Sequence, residues 1–189
     1  MLEILGILSG VIAFAASIPY IVEIIKGNTK PQRMAWVLFL VLSGISFFAQ
    51  LAAGASASLW FPLVLFLQAI IIFSLTLKFG VGGFSRFDIV SLVFAIVIMI
   101  LWALTDSPES AIICSVAVNT IGKILVAVKV YRLPHTEYVP TWVWSALASI
   151  LAAVSVGSFN WILLLTPLQN AITVGMIAAL ILYRRKLIP

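Results

Sequence analysis

A handful of polar side chains interrupt long apolar runs in this chain, and their types bound the chemistry available. They are Glu23, Ser43, Gln68, Asn119, Lys123, Ser149, Gln169 and Asn170. Amides, hydroxyls and one ammonium recognise polar groups by hydrogen bonding and charge. Bond-breaking machinery is not visible: there is no glycine-rich phosphate loop, Ser-His-Asp set or cysteine cluster. The single histidine, His135, is in a loop beside Pro134, and the single cysteine, Cys114, lies in an apolar run. The expectation is recognition without an enzymatic step, with no metal and no cofactor.

The composition identifies what these side chains are embedded in. Hydrophobic residues make up 63% of the 189 and charged residues 9%, and the mean hydropathy is +1.24. Soluble domains are roughly half apolar and a quarter charged, so the chain reads as an integral membrane protein. A net charge of +5 then reflects basic loops on one side of a bilayer rather than a nucleic-acid partner. The first apolar run carries Glu3 where a secretory signal has Lys or Arg, and it continues to Ile25, too long for a cleaved segment.

About 20 helical residues cross the hydrocarbon, and runs of about that length divide the chain into seven expected spans: Leu2–Ile25, Met34–Ala53, Ser58–Leu77, Ile89–Leu104, Ser110–Tyr131, Thr141–Val156 and Asn160–Tyr183. The fourth and the sixth are the shortest. Gly54-Ala55-Ser56 makes a tight turn, residues 78–86 form a glycine-rich linker, and Asp106 or Ser107 is placed to cap the fifth helix with Pro108 in its first turn. With the N-terminus outside and the C-terminus cytoplasmic, every Lys and Arg except Lys123 falls inside. Those residues form four clusters: Lys26, Lys30 and Arg33; Lys78 and Arg86; Lys129 and Arg132; Arg184, Arg185 and Lys186. This is the expected pattern of a multi-pass cell-membrane protein, of the kind found in a prokaryotic inner membrane.

One stretch occurs twice. Ser17 to Lys26, a polar loop and Trp36 are echoed by Thr120 to Lys129, a loop through Arg132, Pro134, His135 and Glu137, and Trp142. Ser17 pairs with Thr120 and Lys26 with Lys129 at an offset of 103, Ser43 with Ser149 and Trp36 with Trp142 at 106, and Gln68 with Gln169 and Trp60 with Trp161 at 101. A long-offset echo signals a duplicated unit. Two directly joined three-helix units would be inverted, and one extra span restores the same orientation. The expected fold is therefore all-α, with parallel repeats arranged three, one, three about an axis along the membrane normal. The first bundle is 1–77, the linker with helix 4 is 78–109, and the second bundle and basic tail are 110–189.

On these features the chain resembles the SWEET, SemiSWEET and PQ-loop superfamily of small transporters, which includes the bacterial nicotinamide riboside transporters. Members carry Pro-Gln near the inner end of the first helix of each repeat; here Pro19-Tyr20 and Gly122-Lys123 stand at those places, and Pro31-Gln32 lies in the loop instead. The resemblance implies that an Asn from the third helix of each repeat faces the solute, and Gln68 and the Gln169-Asn170 pair are the nearest matches. The cavity tryptophans of that family are not matched at depth. Trp36, Trp142 and Trp144 fall near inner helix ends and Trp60, Trp102 and Trp161 near outer ones, as interface anchors do.

The membrane itself marks the charges. Lys123 lies six residues before Lys129, about 9 Å of helix rise, and a lysine at the bilayer centre costs about 3 kcal/mol on insertion scales. It either snorkels or is satisfied by backbone carbonyls, or it faces a central cavity and meets an anionic or polar solute or a carboxylate. Glu23 either pairs locally with Lys26 or meets Lys123 across the repeats. The amides Gln68, Gln169, Asn170 and Asn119 and the hydroxyls Ser43 and Ser149 either bond helix to helix or line one central site. Pro19, Pro62 and Pro167 are candidate hinges, static or gating. The functional expectation is a transporter carrying a small polar solute (a sugar, nucleoside or similar) by alternating access between the two bundles. A non-transporting receptor or sensor on the same scaffold is the alternative. The partners expected are that solute and membrane lipid, with a homo-oligomer left open.

Overall fold

The computed structural model describes residues 2–52, 60–83, 85–105, 108–156 and 159–187. The described chain is helical throughout: α1 (Leu2–Ile25), α2 (Arg33–Ala52), α3 (Trp60–Phe79), α4 (Arg86–Ala103), α5 (Pro108–Arg132), α6 (Val139–Ser155) and α7 (Trp161–Leu187), with a 3-10 turn at Pro134–Thr136 before α6. Five helices (α1, α3, α4, α5 and α7) are long and apolar enough to cross a membrane, and α2 and α6 contribute shorter apolar segments. Lipid offers no partner to backbone polar groups, so a chain of this composition satisfies them within helices. Most serines and threonines follow the same rule by donating to their own helix: Ser17 Oγ to Phe14 O, Thr76 Oγ1 to Phe73 O and Ser115 Oγ to Ile112 O.

The α6 helix, at 17 residues, is shorter than the 18-residue α4, although the two apolar runs are equally long. The linker supplies the difference. Ser85 caps α4 and Asp88 completes a capping box, with Asp88 N to Ser85 Oγ at 3.1 Å and Ser85 N to Asp88 Oδ2 at 3.0 Å, so the helix begins three residues before the apolar run. Helix α7 likewise continues through Arg184, Arg185 and Lys186. The expected turn at Gly54-Ala55-Ser56 and cap at Asp106 or Ser107 lie outside the described residues.

Six helices close a ring in the order α1, α3, α2, α5, α7, α6 and back to α1, and α4 stands outside it, packed on α5 and to a lesser extent on α2. Two seams join the first three helices to the last three. Helices α1 and α6, which pack together, carry several small buried residues: Ser9, Ala13, Ala16 and Ser17 on α1, with Ala148, Ser149, Ala152 and Ala153 on α6. Small side chains let backbones approach closely in lipid, and Thr141 Oγ1 reaches Ala16 O at 3.0 Å. At the α2–α5 seam larger residues interlock, and the Phe39 ring lies against Gly122 so closely that a Cβ there would collide with it.

The packed core is concentrated toward the end of the ring that carries the basic residues. It is built mainly from α2 (Met34, Ala35, Leu38, Leu42), α5 (Val118, Leu125, Val126, Val130) and α7 (Val174, Ile177, Ala178, Ile181), joined by Ala95 of α4 and Trp142 of α6, with a second cluster of Tyr20, Ile24, Trp36 and Ile72. Loops stitch that end together. Lys30 N donates to Thr136 O at 2.9 Å, Val81 N to Pro31 O at 2.8 Å and Arg33 Nε to Thr76 O at 3.1 Å. Gln32 Nε2 donates to Asp88 Oδ1 at 2.6 Å, tying the first loop to the start of α4. Outward-facing positions are large and apolar, including Phe14, Ile71, Phe94, Ile124 and Ile172, as a lipid-facing surface requires.

Candidate functional site

A cavity lies inside the ring. Every ring helix contributes to its wall: Ala13 and Tyr20 of α1, Phe39 and Ser43 of α2, Gln68 and Ala69 of α3, Asn119 and Lys123 of α5, Thr141 and Ser149 of α6, and Asn170 and Val174 of α7. No residue of α4 lines it. Its volume is about 110 Å³, several times the roughly 10–15 Å³ that one buried water requires.

The polar part of the wall is a chain of three residues from three helices. Lys123 Nζ donates to Asn170 Oδ1 at 2.8 Å, and Asn170 Nδ2 donates to Ser149 Oγ at 2.7 Å. Ser149 passes its own proton to Ser145 O at 2.8 Å. The Lys123 ammonium also lies 5.4 Å from the centroid of the Phe39 ring and 5.8 Å from that of Trp142, close enough for the ring faces to attract it. Lys123 is buried and belongs to neither of the ion pairs among the described residues, Lys26 with Glu23 and Lys129 with Glu137. It therefore does not reach the helix boundary by snorkelling; α5 turns it inward onto an amide and two aromatic faces.

Two further cavity residues hold polar atoms in reserve. The Tyr20 hydroxyl and Asn119 Oδ1 are buried and make no hydrogen bond in the structure. The Tyr20 hydroxyl faces the Glu137 carboxylate.

Six of the polar residues singled out in the sequence, Ser43, Gln68, Asn119, Lys123, Ser149 and Asn170, line this one cavity. Gln169 does not. Its side chain turns to α5, where Nε2 donates to Thr120 Oγ1 at 2.9 Å, because adjacent residues on a helix point about 100° apart and Asn170 takes the inward direction. Glu23 is not brought to Lys123. It accepts from Lys26 Nζ at 3.1 Å and Asn28 Nδ2 at 2.8 Å, and α1 and α5 are not neighbours in the ring. Pro19 and Pro167 lie inside α1 and α7. Pro62 is the third residue of α3, in the first turn, where a missing N–H costs the helix no bond.

The sequence reading missed residues of two kinds. Trp36 and Trp142 are not interface anchors: both are buried and line the cavity, whereas Trp60, Trp144 and Trp161 are more than half exposed, as anchors are. Glu137, read only as part of a loop, is 2% exposed. It accepts from Lys129 Nζ at 2.6 Å and Trp142 Nε1 at 3.0 Å, while its backbone carbonyl accepts from Arg185. This cluster, with Tyr20 and Trp36, closes the cavity toward the basic end.

Comparison of the chain with protein families, with curated proteins and with solved structures finds no match.

Proposed function

We propose that the protein is a membrane transporter that carries a small polar solute through the central cavity, by alternating access between two three-helix bundles on a SWEET-like scaffold. The observation that carries this reading is the cavity wall: six helices share it, the helix expected to be a linker does not, and two wall residues present unpartnered polar atoms. Exchanging α1, α2 and α3 with α5, α6 and α7 also maps the ring neighbours onto themselves, which supports a duplicated unit with parallel copies. The small-residue seam and the Phe39–Gly122 seam are then the two surfaces along which one bundle rocks against the other. On this reading the basic end is cytoplasmic, and the tight packing there makes the structure closed to the cytoplasm.

Reconstitution into proteoliposomes tests it. Saturable counterflow of a polar solute from a panel of sugars, nucleosides, short carboxylates and amino acids, absent from protein-free vesicles, is the expected result. Binding of a panel member with no counterflow of any of them would replace the transporter by the receptor reading.

A further inference from the structure

Lys123 is the only charged residue on the cavity wall among the described residues, and its environment is specific about what it lacks. Its partners are a neutral amide and two aromatic faces. The buried carboxylates are engaged elsewhere: Glu137 is held by Lys129 and Trp142, and Asp88 by Gln32, Ser85 and the backbone of Gly83. An ammonium buried without a counter-ion is costly, and that cost falls when an anion enters beside it. A neutral solute offers only dipoles to the same group.

The unpartnered atoms extend the match. Asn119 and Lys123 are four residues apart on α5, which places them on one face about 6 Å apart at Cβ. Asn119 Oδ1 needs a donor. A solute with an anionic oxygen for Lys123 and a hydroxyl on a neighbouring carbon for Asn119 meets both. The cavity, at about 110 Å³, has room for a few heavy atoms rather than a large ligand. We infer that the transported solute is a small organic anion, a short carboxylate and best a hydroxycarboxylate, bound with its charged group at Lys123. This rests on the transport reading above and sharpens it to a substrate class.

The test is counterflow in proteoliposomes of the full chain with radiolabelled lactate, glycolate and hydroxybutyrate against the neutral solutes glycerol, xylose and uridine. Carboxylate counterflow is expected, with a loss of tenfold or more in Lys123→Gln, retention of part of it in Lys123→Arg, and a raised half-saturation concentration for the hydroxycarboxylates in Asn119→Ala. Counterflow confined to neutral solutes overturns the anion inference and leaves the transport reading standing. Carboxylate counterflow equal in wild type and a folded Lys123→Gln overturns the role of Lys123. Movement of none of the six overturns the anion inference, and the wider panel above then decides the transport reading. Should Lys123→Gln not fold, the wild-type panel and Asn119→Ala still decide the class.

Discussion

Lys129 and Glu137 form a buried ion pair, Nζ to Oε1 at 2.6 Å, that joins the last turns of α5 to the turn leading into α6. The second Glu137 oxygen holds the indole of Trp142 at 3.0 Å, so the pair also sets a wall residue of the cavity. Removing one member of a buried pair strands the other charge and costs about 3–5 kcal/mol. Glu137→Gln should therefore lower the thermal midpoint of the purified protein markedly. The double variant Lys129→Met with Glu137→Gln should recover much of that loss. A single variant as stable as wild type would show that this end is held by other contacts.

The contact of Phe39 with Gly122 sets a limit on the α2–α5 seam. Alanine is about 1 kcal/mol better than glycine inside a helix, but overpacking costs about 1–3 kcal/mol. The clash should win, so Gly122→Ala lowers stability. In a Phe39→Ala background the same change should raise it. This reversal of sign, read by thermal unfolding of the four proteins, is specific to the contact.

Asn170 is the hub between Lys123 and Ser149. Asn170→Ala leaves a buried ammonium and a hydroxyl each short of a partner, with a cost of about 1–3 kcal/mol for the unsatisfied group, and should reduce counterflow at least tenfold. Gln169→Ala removes only the bond to Thr120 and should leave the half-saturation concentration unchanged. Equal effects of the two substitutions would contradict the assignment of Asn170 to the wall and Gln169 to a helix contact.

Glu23 lies at a helix end with Lys26 and Asn28, away from the cavity wall. Exposed pairs of this kind contribute little. Glu23→Gln should change neither stability nor counterflow, and exchanging Glu23 with Lys123 should not rescue Lys123→Glu. Rescue by the exchange would revive a cross-bundle pair.

The sequence showed apolar runs plainly, because lipid allows only internally bonded backbone and a helix that crosses it must be long and nonpolar. It located α4 less well, since a capping box of Ser85 and Asp88 starts the helix before the apolar run begins. Six of the residues lining the cavity were legible for an energetic reason: Asn119, Lys123, Asn170, Gln68, Ser43 and Ser149 are polar where polarity is expensive. Trp36 and Trp142 escaped because an aromatic near a helix end is equally suited to the membrane interface, and only the inward turn of the helix tells the two apart. Glu137 escaped because a carboxylate in a polar loop carries no signal of burial until Lys129 and Trp142 fold onto it. Gln169 shows the converse: polarity in a span says that a partner is needed, not whether that partner is a solute or another helix.

The central claim is that one cavity opens to each side of the membrane in turn. Ala69, 2% exposed and on the cavity wall, is the position to interrogate. In vesicles of known orientation, Ala69→Cys in a Cys114→Ser background is treated with a membrane-impermeant thiol reagent from one face or the other. The account predicts labelling from both faces, with the transported solute changing the two rates. Labelling from a single face under every condition, or from neither, would contradict it.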